Sequence, residues 1–260
     1  MTNHLTVTSI QSNLVWENAI QNRLNFEHKI NSEINEDVDV IILPEMFTTG
    51  FSMQPKHLAE PMDGDTVTWM QKIAKEKNSA ICGSIIIKEQ NNYYNRFLFI
   101  EPDGNIQHYN KRHLFSLAGE HEHYQNDTTQ VIIEYKGWRI CPLICYDLRF
   151  PVWSRNTQNY DLLIYVANWP KPRINAWNTL LKARAIENMT YVVGVNRVGV
   201  DTNGNEYSGN SIVLDVLGNE LSPVTENHET CITTTLSKKE LQTVRKKFNF
   251  LNDKDLFTLK

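Results

Sequence analysis

Three short stretches of the chain each set a reactive side chain at the end of an apolar run: Glu45 in LPEMFTTGF, Lys111 in YNKRHLF and Cys145 in LICYDLRFP. A thiol attacks carbon as its thiolate, and with a reference pKa of about 8.5 it is mostly protonated at neutral pH. It needs a carboxylate to take its proton and a cation to hold negative charge. Glutamate, lysine and cysteine together can therefore run acyl transfer, in which sulfur attacks a carbonyl carbon and water releases the acid. Taken singly, each residue has a plainer role. A cysteine in an apolar strand is commonly core, Glu45 could cap a turn, and Lys111 could be a solvated charge. Cys141 and Cys145 share a strand face by the period of two, but only Cys145 is followed at once by polar residues. We read Cys82, Cys141 and Cys231 as core.

A metal hydrolase is the rival chemistry. GEHEHY places His121 and His123 two apart on one side of an extended segment, a known ligand spacing. No HExxH or CxxC supplies further ligands, so a solvated or substrate-lining loop is expected and no metal. No GxGxxG follows a strand, which argues against a dinucleotide cofactor.

The elements that must position these side chains are legible as alternating patterns. Apolar, β-branched runs predict strands over 38–43, 80–87, 97–101, 138–145, 162–167, 191–195, 211–216 and 231–235, with a short strand leading into Lys111. Three- and four-residue apolar spacing predicts helices over 14–33, 64–77, 174–190 and 237–248. Strands buried on both faces among helices mean an α/β layered fold, with ligands at the mouth of the sheet. The 260 residues are 41% apolar, enough for one core, and no repeat or Pro/Gly/Ser-rich linker divides them. A net charge of -4 without a basic run excludes nucleic acid and anionic membranes as expected partners. Four cysteines are too sparse for a disulfide framework; with no leader or membrane span evident, a cytoplasmic protein with free thiols is expected. The sequons at Asn126 and Asn188 are then chance matches.

In combination, LPEMFTTGF, YNKRHLF and CYDLRFP resemble the signature blocks of the nitrilase superfamily of carbon-nitrogen hydrolases, in the same order and with similar separations, over nearly the whole chain. The resemblance implies a single-domain α-β-β-α sandwich over 1–260 carrying a Glu-Lys-Cys triad at Glu45, Lys111 and Cys145. It implies a second glutamate, placed at Glu120 in SLAGEHEHY with Glu122 close by, and an oxyanion held by Lys111 and the backbone N–H of Tyr146. No cofactor is implied. Nitrile and N-carbamoyl hydrolysis use the same triad. EMFTTGFSM, NKRHLF, CYDLRFPVWSRN and VANWP look like the omega-amidase branch, which implies a small-molecule substrate: the ω-amide of a 2-oxo acid such as 2-oxoglutaramate. Its α-carboxylate needs a cation, for which Arg173 is the choice and Arg149 and Arg197 the alternatives. Arg149 is expected instead to pair with Asp147 or another acid beneath the site. Phe115 and Trp169 are expected to wall the pocket. A homodimer or larger assembly is expected, with residues 236–260 forming a helix and arm whose Phe248, Phe250, Leu251, Leu256 and Phe257 need a surface to cover.

Overall fold

The computed structural model describes residues 3–34, 37–255 and 257–259. In chain order the first half runs β1 (His4–Gln11), α1 (Ala19–Glu33), β2 (Val40–Ile42), α2 (Pro55–Leu58), α3 (Asp65–Lys77), β3 (Ala80–Glu89), β4 (Asn92–Ile100) and β5 (Ile106–Asn110). The second runs α4 (Glu120–His123), β6 (Ile133–Tyr135), β7 (Trp138–Ile144), α5 (Pro151–Ser154), β8 (Leu162–Ala167), α6 (Ile174–Asn188), β9 (Tyr191–Asn196), β10 (Val198–Val200), β11 (Glu206–Ser208), β12 (Ile212–Leu214), β13 (Thr230–Ser237) and α7 (Lys238–Phe248).

Two sheets stack face to face. One has the order β13-β1-β2-β3-β4-β5, the other β12-β9-β8-β7-β6, while β10 and β11 form a separate ribbon. The inner face of the first sheet, with Leu5, Val7, Val40, Ile42, Phe97 and Phe99, shares one core with β7, β8 and β9. Its outer face, with Ile41, Ile81, Leu98 and Ile100, packs on Phe26 and Ile30 of α1 and on Met70 and Ile73 of α3. On the far side of the second sheet, Trp177, Leu181 and Ala185 of α6 are buried against it. The result is the expected α-β-β-α sandwich in a single compact domain.

Strand direction decides where the site lies. β1, β2 and β3 are parallel to one another, as are β7, β8 and β9, so their carboxyl ends gather on one edge of each sheet. β5 follows two antiparallel steps from β3 and points the same way. The predicted helix over 14–33 begins only at Ala19, where the Asn18 side chain caps it by accepting from the Gln21 N–H at 3.0 Å. Leu14 is buried ahead of that cap, which is why the apolar spacing ran too far back. Met189, in the left-handed region at φ 45, ends α6 one residue past Asn188. Asn188 itself is fully buried and bonded to Asn156, so the sequon there is a core asparagine.

Candidate active site

Glu45, Lys111, Cys145 and Asn168 all leave carboxyl ends of strands. Glu45 stands three residues past β2, where the chain keeps pairing with β3: Leu43 N–H donates to Cys82 O at 2.7 Å and Phe47 N–H to Ser84 O at 3.1 Å. Lys111 follows β5 directly, its own N–H anchored on Asn95 O at 3.0 Å. Cys145 is not the end of a strand as expected; β7 stops at Ile144, and Cys145 opens a 3-10 turn over Cys145–Arg149 with φ 43. A side chain in that left-handed region costs about 1–3 kcal/mol and persists only if its surroundings enforce it. The enforcing group is Asp147. Its buried carboxylate accepts from Ile144 N–H at 3.0 Å, Tyr109 Oη at 2.8 Å and His113 N–H at 3.0 Å, and meets His113 Nδ1 at 2.8 Å. One side chain thus ties the Cys145 turn to the Lys111 loop.

Beneath the thiol lies a buried charge network. Lys111 Nζ donates to Glu45 Oε1 at 2.9 Å and to Glu120 Oε1 and Oε2 at 3.0 and 2.9 Å, with all three side chains shut off from solvent. Asn95, inside β4, donates to Glu45 Oε1 at 2.8 Å and to Glu120 Oε1 at 3.3 Å. Glu120 also accepts from Phe115 N–H at 2.6 Å, and Glu45 Oε2 accepts from Asn168 N–H at 2.9 Å. Two carboxyl groups face one ammonium, and burial together with their mutual charges sets the titrations. Burial opposes the charge on Lys111, but Glu120 and Glu45 outweigh it and hold the ammonium above its ordinary range. Burial pushes the Glu120 carboxyl up, and the charge of Glu45 adds to this while Lys111 opposes it. Burial and then Glu45 push the Cys145 thiol well up, against the pull of Lys111. The same surroundings leave Cys145 dependent on a neighbouring base to lose its proton, as the sequence reading of a carboxylate beside the thiol requires.

Cys145 lines a cavity of about 230 Å³ together with Phe51, Phe115, Tyr146, Arg149, Asn168, Trp169 and Arg173, and with Asn205 and Tyr207. Tyr146 is the second residue of the 3-10 turn, so its N–H precedes the turn's first internal hydrogen bond. Phe115 and Trp169 stand where expected, and Glu120 rather than the exposed Glu122 joins the network. Arg173 lines the cavity with its guanidinium over the Phe115 ring at 5.2 Å. Arg149 departs from expectation. Asp147 is saturated by the four groups above, and Arg149 turns instead over Trp169 at 5.0 Å and faces the cavity. Arg197 is removed from the site: fully buried, it bonds Val198 O, Asn13 Oδ1 and Leu14 O behind Tyr207. His121 and His123 are exposed on the helical turn α4, not on an extended segment, and two residues of a helix lie about 200° apart, on opposite sides. Among the described residues no cluster of three metal-ligating side chains forms. Asn95, Phe51, Asn205 and Tyr207 were not singled out in the sequence; only the polar Asn95 ahead of the apolar run 97–100 carried a signal.

The family profile described as carbon-nitrogen hydrolase matches residues 6–246. The chain belongs to the carbon-nitrogen hydrolase family. This hydrolase is 46% identical over 255 residues to the omega-amidase YafV of Yersinia enterocolitica, covering 98% of each chain. It is 32% identical over 222 residues to the 2-oxoglutaramate amidase of Bacillus subtilis, covering 84% of this chain and 85% of that one. Among solved structures, the hydrolase superposes on XC1258 of Xanthomonas campestris, a CN-hydrolase superfamily protein with an arsenic adduct in its active site. The TM-score is 0.96 at 40% identity, with both chains covered in full.

Proposed function

We propose that the hydrolase cleaves the ω-amide of a short 2-oxo dicarboxylic acid monoamide, of the 2-oxoglutaramate kind, to the acid and ammonia. Cys145 attacks the carboxamide carbon, Glu45 takes the thiol proton, and the oxyanion is met by the Lys111 charge and the Tyr146 N–H. Losing one such donor costs about 10² to 10³ in turnover. Glu45 then gives the proton to the departing nitrogen, leaving a thioester on Cys145 that a water activated by Glu45 hydrolyses. Glu120 keeps Lys111 charged and in place. General acid-base help of this kind is worth about 10² to 10⁴ in rate.

The observation that carries the substrate reading is the pair of guanidiniums lining the cavity, since Arg149 and Arg173 each rest on an aromatic face and neither forms an ion pair with a carboxylate among the described residues. Two such cations beside the buried carboxylates suit a substrate with an amide at one end and a carboxylate at the other. The names of the relatives point the same way. We assign the α-carboxylate to Arg173, with Arg149 beside it, and the cavity walls to Phe115 and Trp169. Arg173→Met should lower kcat/KM for 2-oxoglutaramate by roughly tenfold or more, as expected when a bound carboxylate loses a charged partner. It should spare a neutral amide of similar length. Equal effects on both would remove Arg173 from the site. We place the protein in the cytoplasm as a homodimer or larger assembly, and treat 1–260 as one functional unit ending in the helix and arm of 236–260.

A further inference from the structure

Asn168 has one side-chain atom that the roles above leave idle. Its main-chain N–H donates to Glu45 Oε2 at 2.9 Å, and its Nδ2 donates to the Glu45 carbonyl oxygen at 2.6 Å. The second contact fixes the orientation of the side-chain amide, because an oxygen facing that carbonyl would be repelled. Oδ1 is then left buried without a hydrogen-bond partner among the described residues, on a residue only 4% exposed that lines the cavity together with Cys145. An unpaired buried acceptor costs about 1–3 kcal/mol, and folded proteins keep few of them. Here the residue that carries it holds Glu45 through its main-chain N–H and lines one cavity with Cys145.

We propose that Asn168 Oδ1 accepts a hydrogen bond from the carboxamide nitrogen of the substrate, which makes Asn168 a further catalytic residue. This rests on the amidase reading and adds a subsite to it. With the carbonyl oxygen turned to Lys111 and the Tyr146 N–H, the nitrogen lies on the opposite side of the carbon and has two N–H groups to place. As the sulfur–carbon bond forms, the carbonyl pair moves onto oxygen and the nitrogen recovers its lone pair. One N–H held by Oδ1 leaves that lone pair free to face Glu45, which delivers the proton it took from sulfur. The carbon–nitrogen bond then breaks and ammonia leaves. One proton has moved from sulfur to nitrogen, and no outside reagent is used. Shielding from bulk water raises the worth of the contact. It also makes the subsite selective: an ester oxygen has no proton to give and meets Oδ1 as one acceptor against another.

The test compares two substrates of the same acid, 2-oxoglutaramate and its counterpart with a methyl ester in place of the amide. Both are assayed with the unaltered protein and with Asn168→Ala and Asn168→Ser. The ratio of kcat/KM for amide over ester should fall roughly tenfold in each variant, the worth of one well-formed hydrogen bond. An unchanged ratio overturns the proposal, and so does a parallel loss of both activities, which a purely structural asparagine would give. Unaltered protein inert toward both substrates would instead sink the amidase reading, so the two failures are told apart.

Discussion

Burial and the neighbouring Glu45 push the Cys145 thiol up, so in the proposed reaction the sulfur must lose its proton to Glu45 as it attacks. Of the nearby charges, Glu45 pushes the thiol up and Lys111 pulls it down. Glu45→Gln should therefore abolish ammonia release while moving the pH midpoint of iodoacetamide labelling at Cys145 downward, because only the lysine charge still acts strongly. An upward or unmoved midpoint in the mass-spectrometric labelling curve would contradict this. Cys145→Ala should be inactive with a melting temperature at or above that of the unaltered protein. Cys141→Ala, a fully buried position, should stay active and lose about 1 kcal/mol to the cavity it leaves. An active Cys145→Ala protein would remove the nucleophile assignment. Glu45, Lys111 and Cys145 were legible because each pairs an apolar run with an abrupt reactive residue. Tyr207 and Asn205 were not, because they reach the cavity from a ribbon sixty residues further along the chain, and no local pattern encodes that approach.

At the scale of elements, the strands that the sequence disclosed are the ones filled with β-branched and apolar residues. β1 was passed over because hydroxyls and an amide are interspersed among its buried Leu5, Val7 and Ile10, and Thr8 and Thr6 meet Thr233 and Thr235 across the sheet at 2.8 and 3.0 Å. β4 was read only from Phe97, although it starts at Asn92, since Asn95 and Arg96 are buried polar residues held by the site and by Asn110. Polar pairing, not apolarity, keeps those segments in the sheet, and a hydropathy pattern cannot see it. Packing between β9 and α6 is close enough to test. A Cβ added at Gly194 would come within 2.5 Å of Leu181 Cδ1 and 2.9 Å of Trp177 Cζ2. Gly194→Ala should destabilise the protein by about 1–3 kcal/mol in a denaturant titration, the range for overpacked cores, and a neutral result would mean that α6 shifts freely. α6 follows directly on Arg173, so the same variant should raise KM more than it lowers the yield of labelled Cys145.

The whole molecule presents two properties to solution. Asp127, Asp201 and Glu229 are partly buried, which alone would raise them, yet hydrogen bonds from Thr129, Asn205 and Ser12 and their neighbours hold each carboxyl below its usual range. Stability from such groups is present above their unfolded values near 4 and drains away as pH falls through the lower folded values. Melting temperature should therefore be flat through neutral pH and drop below about pH 4, and a drop beginning near pH 6 would point to histidines instead. The second property is the apolar C-terminal surface, where Phe248, Phe250, Phe257 and Leu259 are 37%, 57%, 42% and 44% exposed, with Val152 and Ile186 also uncovered. Leu251 is half-buried, and Leu256 lies outside the described residues. Light scattering at micromolar concentration should give at least a dimer mass, and Phe250→Asp together with Phe257→Asp should lower it; a clean monomer for the unaltered protein would refute the assembly. One feature of the sheet bears on how the chain is made. β1 lies between β2 and β13, each residue from His4 to Gln11 facing one from Ser237 to Thr230. During synthesis β1 therefore waits for β13, its edge open for as long as the ribosome takes to add about two hundred residues between them. Such an open edge is where chains join wrongly, and the hydroxyls that hid β1 from a hydropathy reading also make it a poor template for that error.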